Sequence, residues 1–184
     1  DTLKQIVEIN NKKIKTVNNK VNKGQSYSIY AGVEKSLNNT IITLDGDGQN
    51  DPADIPKLLE SYLNDKDAKL IGGIRVKRED SIIKIFSSKT ANFIRSKILK
   101  DGCLDTGCSL KVFNKDIFLS FPYFDGIHRF LPALFKGYGY KTKFINVNHR
   151  KRNYGVSKYG TMNRLFKGIR DMYKVKKIIH NKSN

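Results

Sequence analysis

A short apolar segment that ends in a run of acidic and glycine residues constrains the fold of this chain more than any other feature. The segment TIITL, at residues 40–44, is continuously apolar and rich in β-branched side chains, which predicts a strand buried on both faces. It is followed at once by DGDGQNDP, at residues 45–52. In open α/β sheets, ligands bind beyond the carboxyl ends of the strands, and this polar segment lies at such an end.

Apolar runs and helical periodicities alternate along the rest of the chain. Further strands are predicted at residues 14–17, 70–74, 109–113 and 143–147. Helices are predicted at residues 2–11, 26–37, 81–99, 130–137 and 159–180, together with one that Asp54 caps and that runs through Leu63. The alternation predicts one α/β domain over residues 1–184, with an open, mostly parallel sheet flanked by helices.

Charge is distributed unevenly along this chain, whose net charge is +18. Residues 141–184 carry 13 Lys or Arg against one acid, whereas residues 45–67 carry seven acids against two lysines. This asymmetry predicts an extended anionic ligand at the tail and a cation at the acidic segment. The helix predicted at residues 159–180 is basic and amphipathic, which suits an anionic membrane surface and equally suits packing on the domain.

Several classes of protein are disfavoured by composition. Hydrophobic residues make up 39% of the chain, which is too many for a disordered protein, and no apolar run is long enough to cross a bilayer. Cys103 and Cys108 have neither metal-ligand nor redox-motif spacing, so we expect a reducing, cytoplasmic setting.

Carboxylates and glycines alternate directly after the first buried-type strand. Hard oxygen ligands of this kind suit Mg²⁺ or Mn²⁺, so Asp45 and Asp47 are the candidate metal ligands, with Gln49 as a third oxygen. An ordinary acidic turn is the alternative interpretation, because Asp and Gly are common in turns.

A second cluster of polar residues, RKRNYGVSKYG, lies at residues 150–160. Cations on a glycine-containing loop can clamp phosphoryl oxygens, Arg152 with a bidentate fork and Lys158 with a point charge. The alternative is a solvated basic loop.

Five motifs occur in a fixed order and together span most of the chain: LDGDGQNDPADIP at 44–56, GIR at 73–75, DTGCSLKVF at 105–113, HRFLPAL at 128–134 and HRKRNYGVSKYG at 149–160. In these motifs the chain resembles the polyprenyl-phosphate glycosyltransferases of glycosyltransferase family 2, the group that includes dolichol-phosphate mannose synthases. The resemblance implies a Rossmann-like GT-A fold and a divalent cation, Mg²⁺ or Mn²⁺. It also implies inverting transfer of a sugar from a GDP- or UDP-sugar to a polyprenyl phosphate.

The resemblance also implies roles for individual residues. Asp45 and Asp47 would hold the metal and the donor diphosphate, with Gln49 assisting. Arg75, Lys84 and Ser88 would contact the acceptor phosphate. Arg152, Ser157 and Lys158 would close over the donor and acceptor phosphates, and Arg152 and Lys158 would offset charge on the leaving group. Asp125 occupies the region where relatives that act on hydroxyl acceptors carry a general base.

The chain departs from the family pattern at its start. The usual first strand, the Pro-x-x-Asn-Glu turn and the Asp-Asp-Gly-Ser loop are absent, so the domain is expected to be N-terminally incomplete. We expect a peripheral protein at the cytoplasmic face of the membrane, with no nucleic-acid partner. A non-catalytic relative and a basic module that binds lipid or nucleic acid remain alternatives.

Overall fold

A computed structural model of the protein describes residues 2–76, 92–150 and 161–183. The helices are α1 (Thr2–Glu8), α2 (Gly24–Lys35), α3 (Ile55–Asn64), α4 (residues 92–99), α5 (Lys115–Ser120), α6 (Leu131–Gly137) and α7 (Thr161–Ser183). The strands are β1 (Thr40–Thr43), β2 (Ala68–Arg75), β3 (Lys111–Asn114) and β4 (Lys141–Val147). Short 3₁₀ turns, Pro52–Asp54 and Ile127–Arg129, precede α3 and α6. Within these ranges, no helix is both long and apolar enough to cross a bilayer.

The four strands form one sheet in the order β1-β3-β2-β4. β4 pairs with β2 in parallel, whereas β3 lies antiparallel between β1 and β2. β1, β2 and β4 therefore run in the same direction, and β3 is inserted antiparallel, so the sheet is mixed. The predicted α/β class, with a sheet flanked by helices, is confirmed.

Each face of the sheet is covered by helices, as the sequence predicts. On one face, Leu70 and Phe113 pack with aromatic side chains of α5 and α6 and with Val175 of α7. On the other face, Ile71 and Val112 pack against Leu58 of α3. Successive residues of β2 and β3 thus point to opposite layers, because strand side chains alternate between the two faces of a sheet.

Three local expectations are wrong. Residues 14–17 form no strand, and Ile14 and Val17 are exposed, because no strand pairs with them in the described part of the chain. β1 is buried on one face only: Ile41 is buried and Ile42 is exposed, since α3 packs mainly against β2 and β3. Asp54 precedes α3, but its carboxylate makes no capping bond and is used elsewhere.

Two buried glycines in β2 allow this strand to lie close to its neighbours. A Cβ at Gly73 would lie 2.8 Å from Cys108 Sγ and 2.9 Å from Val147 Cγ2. The backbone of Gly73 also donates a hydrogen bond to the carbonyl of Leu110 at 2.9 Å. The absence of a side chain at Gly73 therefore fixes how closely β2 approaches the segment that leads into β3.

Charged pairs tie α7 to the loop at residues 125–129. Lys167 pairs with Asp125, and Arg129 Nη2 lies 2.6 Å from Asp171 Oδ2. Gly126 has a φ of +111°, and a Cβ there would lie 2.6 Å from Asp171 Oδ2. The helix and this loop therefore form one packed unit.

His128, in the same loop, is joined to α2 by Ser26. The Ser26 hydroxyl accepts a hydrogen bond from Gly126 N at 2.7 Å and forms a second hydrogen bond with His128 Nδ1 at 2.7 Å. Burial lowers the pKa of His128 to about 4, and the nearby cations Arg129 and Lys111 act in the same direction. His128 is therefore neutral in the folded protein near pH 7.

The close contact at Gly73 predicts that Gly73→Ala lowers stability. The added methyl group would overpack a buried site, and overpacking typically costs about 1–3 kcal/mol. Gly32→Ala in α2 is the matched control, because a Cβ there meets nothing within 4 Å. Thermal unfolding should show a lower midpoint for Gly73→Ala and an unchanged or higher one for Gly32→Ala. Equal midpoints for the two variants would contradict the packing described.

The lowered pKa of His128 predicts a loss of stability in mild acid. Its pKa rises from about 4 in the folded state to 6.5 in the unfolded state, so the unfolded chain binds the extra proton first as pH falls. The stabilising contribution is complete above pH 6.5 and is lost between pH 6.5 and about 4.

Urea unfolding should therefore show that the free energy of unfolding of the wild-type protein falls by about 2 kcal/mol between about pH 7.5 and about pH 5. The variant His128→Gln should lack this decrease. The exposed His180→Gln serves as the control and should keep the wild-type loss. The same loss in His128→Gln as in the wild type would exclude His128 as its source.

Candidate metal and phosphate site

The acidic turn, residues 45–50, leaves the end of β1 and contains both candidate carboxylates. Gly48 has a φ of +77°, a left-handed conformation that residues with side chains rarely adopt. Asp47 Oδ1 accepts a hydrogen bond from Gln49 N at 3.1 Å, which closes the turn on itself. Asp45 and Asp47 are both partly exposed, so a ligand can approach either carboxylate.

Asp45 is held by two elements that are distant in sequence. Gln25, in the first turn of α2, donates from Nε2 to Asp45 Oδ1 at 3.0 Å. Ser109 Oγ accepts a hydrogen bond from Asp45 N at 3.2 Å and donates to Asn50 Oδ1 at 2.5 Å. The turn therefore rests on α2 on one side and on the segment that leads into β3 on the other.

A buried lysine at the start of β3 lies close to the acidic turn. Lys111 is 4% exposed, and its Nζ donates to the carbonyl of Cys108. Burial lowers the pKa of Lys111, while the groups around it, the thiols of Cys108 and Cys103 and the carboxylates of Asp105 and Asp45, oppose that shift. A lysine side chain is therefore buried beneath the turn and shielded from solvent.

Arg75, at the end of β2, forms a bidentate ion pair with Asp105. The distances are 2.7 Å for Nε to Oδ2 and 2.7 Å for Nη2 to Oδ1, and Arg75 N also donates to Oδ2 at 3.1 Å. A Cβ at Gly107 would lie 2.8 Å from Arg75 Nη2, so the guanidinium rests directly on this glycine. Arg75 therefore has a partner that the sequence does not indicate.

The segment that follows β4 is attached directly to the acidic turn. Asn50 and His149 form an isolated antiparallel bridge, and Arg150 N donates to the carbonyl of Gln49 at 2.8 Å. Arg150 Nη2 also pairs with Asp51 Oδ1 at 2.6 Å. The acidic turn and the start of the basic loop, residues 149–160, therefore lie side by side although about 100 residues separate them in sequence.

Two further carboxylates support this attachment. The Asp54 carboxylate accepts hydrogen bonds from Asn148 N at 2.7 Å and from its side-chain amide at 3.4 Å, which explains why it does not cap α3. Asp51 instead accepts from Ala53 N at 3.0 Å and begins the 3₁₀ turn. This backbone hydrogen bond, together with Arg150, lowers the pKa of Asp51, so it remains ionised and paired.

The structure brings together three of the predicted site residues: Asp45, Asp47 and Gln49 lie in one turn. The Gln49 side-chain amide faces His149, with Nε2 atoms 3.4 Å apart, so Gln49 joins the turn to the basic loop. Five predicted residues lie outside the described part of the chain: Lys84, Ser88, Arg152, Ser157 and Lys158.

Several polar residues that build the site were not selected from the sequence. Gln25, Asn50 and Ser109 each make a hydrogen bond that orients the acidic turn. Ser109 lies within DTGCSLKVF, one of the motifs that carry the resemblance, and it stands just before a strand that neighbours β1. A polar side chain at the start of a predicted strand was the sequence feature that could have identified Ser109 as part of the site.

The residues present fit a divalent cation that takes some of its ligands from the protein and the others from a substrate and water. In the described ranges, no group of three or more His, Cys, Asp or Glu side chains comes together as a metal site. Mg²⁺ and Mn²⁺ sites with substrate phosphates usually use only a few protein oxygens, the rest coming from water and phosphate. Asp45 and Asp47, held on a partly exposed turn, match that type of site.

Relatives of known function share polyprenyl-phosphate names. The chain is 35% identical over 157 residues to the dodecaprenyl-phosphate galacturonate synthase of Rhizobium johnstonii, a match that covers 84% of this chain and 46% of that protein. It is 33% identical over 138 residues to the undecaprenyl-phosphate 4-deoxy-4-formamido-L-arabinose transferase of Pectobacterium carotovorum, covering 75% and 42%. The chain thus spans less than half the length of these curated relatives.

A solved structure of low sequence identity has the same fold. Glucosyl-3-phosphoglycerate synthase from Mycobacterium tuberculosis, in complex with Mn²⁺, UDP-glucose and glycerol 3-phosphate, aligns with a TM-score of 0.58 at 14% identity. The alignment covers 84% of this chain and 54% of that chain. This likeness confirms the predicted GT-A class.

The family itself follows from a match of the chain to a family model. Residues 1–120, well over half of the chain, match the model described as Glycosyl transferase family 2. The match includes β1, the acidic turn, β2 and β3. The chain therefore belongs to glycosyltransferase family 2.

Proposed function

We propose that this protein transfers a sugar from a nucleotide diphosphate sugar to a polyprenyl phosphate, with inversion at the anomeric carbon and with the help of Mg²⁺ or Mn²⁺. The observation that carries the proposal is the attachment of the basic loop to the acidic turn through the Asn50–His149 bridge. The start of the loop that carries Arg152 and Lys158 is thereby attached beside the candidate cation site. The names of the two curated relatives, a synthase and a transferase of polyprenyl phosphates, support the choice of acceptor.

The donor diphosphate is assigned to the acidic turn. Asp45 and Asp47 would hold the divalent cation, with Gln49 assisting, and the cation would offset charge on the departing nucleoside diphosphate. Arg152 and Lys158 would contact the same phosphates from the basic loop, where guanidinium and ammonium groups bind phosphoryl oxygens well. The donor is a GDP- or UDP-sugar.

The acceptor phosphate is assigned to the side of the site nearer β2. Lys84 and Ser88 would contact it, and Arg75 would do so while keeping its ion pair with Asp105. Ser157, with Arg152 and Lys158, would close over the donor and acceptor phosphates.

The chemistry requires no general base from the protein. A lipid monophosphate has a second pKa of about 6 and is ionised at neutral pH. One of its oxygens forms a bond to the anomeric carbon, the bond from that carbon to the diphosphate breaks, and the nucleoside diphosphate leaves with the electron pair. Asp125 fits this mechanism, because its hydrogen bond from Lys167 lowers its pKa and makes it a poor base.

The outward face of α7 is assigned to an anionic membrane surface at the cytoplasmic side. Tyr173 and Ile169 are exposed there, beside the exposed cations Arg170, Lys176 and Lys177. Aromatic and apolar side chains among cations are typical of helices that lie in a membrane interface. The opposite face of α7, which includes Val175, packs on the domain, so both interpretations of this helix apply to different faces.

Loss of a carboxylate in the acidic turn should abolish sugar transfer. The full-length protein with Mn²⁺ should release nucleoside diphosphate from one member of a panel of UDP- and GDP-sugars when polyprenyl phosphate is added. Asp47→Asn should lower that rate by about 100-fold or more, because charge stabilisation of the leaving group is lost. Asp67→Asn, an exposed carboxylate elsewhere, is the matched control and should keep the wild-type rate.

EDTA should abolish the release in the wild-type protein as well. Release that persists in EDTA, or in Asp47→Asn, would exclude the metal-assisted mechanism. Tight binding of nucleic acid without any donor turnover would instead favour a non-catalytic basic module.

Neutralising the outward face of α7 should weaken membrane binding. Each cation near an anionic surface contributes about 1 kcal/mol, so the triple variant Arg170→Gln, Lys176→Gln, Lys177→Gln should bind about 100-fold more weakly. Sedimentation with phosphatidylglycerol-containing vesicles measures this, and pure phosphatidylcholine vesicles give the background. The control variant neutralises three exposed lysines in the segment between α1 and α2, Lys12, Lys13 and Lys20. Equal loss in both variants would show that net charge, rather than α7, sets the affinity.

A further inference from the structure

One hydroxyl group connects the two ends of the acidic turn. Ser109 Oγ accepts from the backbone N–H of Asp45, the first residue of the turn, at 3.2 Å. The same oxygen donates to Asn50 Oδ1, on the last residue of the turn, at 2.5 Å. The separation of the turn's two ends is therefore set by a single side chain that belongs to neither end.

Ser109 is itself held rigidly. Its neighbours on both sides, Cys108 and Leu110, are buried, and both contact Gly73 of the central strand β2. The hydroxyl thus projects from a part of the core that has little freedom to move.

The far end of this connection is equally well fixed. Asn50 is 5% exposed, and its backbone forms the bridge to His149. Removing the Ser109 hydroxyl would leave the buried Asn50 amide oxygen and the Asp45 N–H without this partner. The acidic turn contains two glycines, which confer more backbone freedom than any other residue, so it would lose order when that partner is removed.

We propose that Ser109 is a positioning residue for the metal site, and that its hydroxyl sets the spacing of the Asp45 and Asp47 carboxylates for a divalent cation. The proposal rests on the function proposed above. A ligand pair that is already ordered binds a cation more tightly, because less conformational freedom is lost on binding. Groups that orient metal ligands from behind typically contribute about 10- to 100-fold to metal affinity.

The test compares Mn²⁺ binding in three variants of the full-length protein. Ser109→Ala should raise the dissociation constant for Mn²⁺, measured by electron paramagnetic resonance of the unbound ion, by about 10-fold or more. Ser109→Thr retains the hydroxyl and should bind nearly as the wild type does. Thr43→Val removes a hydrogen bond to the carbonyl of the same serine and leaves the turn untouched, so it should also keep the wild-type affinity.

A second measurement does not depend on the metal. Hydrogen exchange of the Asp45 and Gln49 amides should be faster in Ser109→Ala than in Thr43→Val. Each variant is measured at the same interval below its own melting temperature, so that a difference in global stability does not contribute. If Ser109 only stabilised the fold, the exchange rates of these amides would be the same in both variants.

The outcomes separate this role from the proposed function. If the wild type and Ser109→Ala bind Mn²⁺ equally while Asp47→Asn does not bind it, the metal site stands and the role of Ser109 is overturned. If the wild type binds no Mn²⁺, the metal site and this role are both overturned. An equal loss in Thr43→Val and Ser109→Ala would also overturn the role, because general stability would then explain both.

Discussion

The ion pair between Arg75 and Asp105 is the interaction on which the rest of the site depends. It joins the end of β2 to the loop that leads into β3, and both partners are largely buried. Breaking such a pair by removing one partner is costly, since the remaining charge stays buried without compensation. The pair fixes Asp105 at the end of β2, four residues before Ser109.

Two sequence motifs that are about 30 residues apart become one structural unit through this pair. In GIR, Gly73 makes room for Cys108 and Arg75 binds Asp105; in DTGCS, Gly107 makes room for the guanidinium of Arg75. Each glycine thus accommodates a side chain supplied by the other motif. The residue types in both motifs are therefore explained by packing and charge at the base of the site, beneath the carboxylates that would act on a substrate.

The protein is strongly basic, yet the candidate metal ligand Asp45 in the acidic turn is not paired with a basic side chain in the described part of the chain. Arg150 pairs with Asp51 just beyond the turn, and Lys111 lies buried behind it. Asp45, by contrast, receives a neutral amide from Gln25. Cations are thus present around the turn, while the described partner of the Asp45 carboxylate is uncharged, as suits a carboxylate that would bind a metal ion.

What could be predicted from the sequence was local, and what could not depended on distant contacts. The α/β class and the candidate ligands Asp45 and Asp47 follow from a strand and the turn after it, which are contiguous in the chain. Ser109 and Gln25 escaped prediction, because their roles arise from hydrogen bonds that span 64 and 20 residues. The exposed Ile42 was missed for the same reason, since its burial depends on where α3 packs.

The bridge between Asn50 and His149 also has a consequence for how the protein folds. Contacts between residues far apart in sequence form slowly, because closing the long intervening segment costs conformational entropy before the contact stabilises the chain. The intervening residues include β2, β3 and β4, and the bridge extends from the end of β4. We therefore expect the sheet to assemble before the acidic turn and the start of the basic loop meet. A nascent or partly refolded chain would have its core before it had its site, and binding of a ligand to that site would report only on molecules that had completed folding.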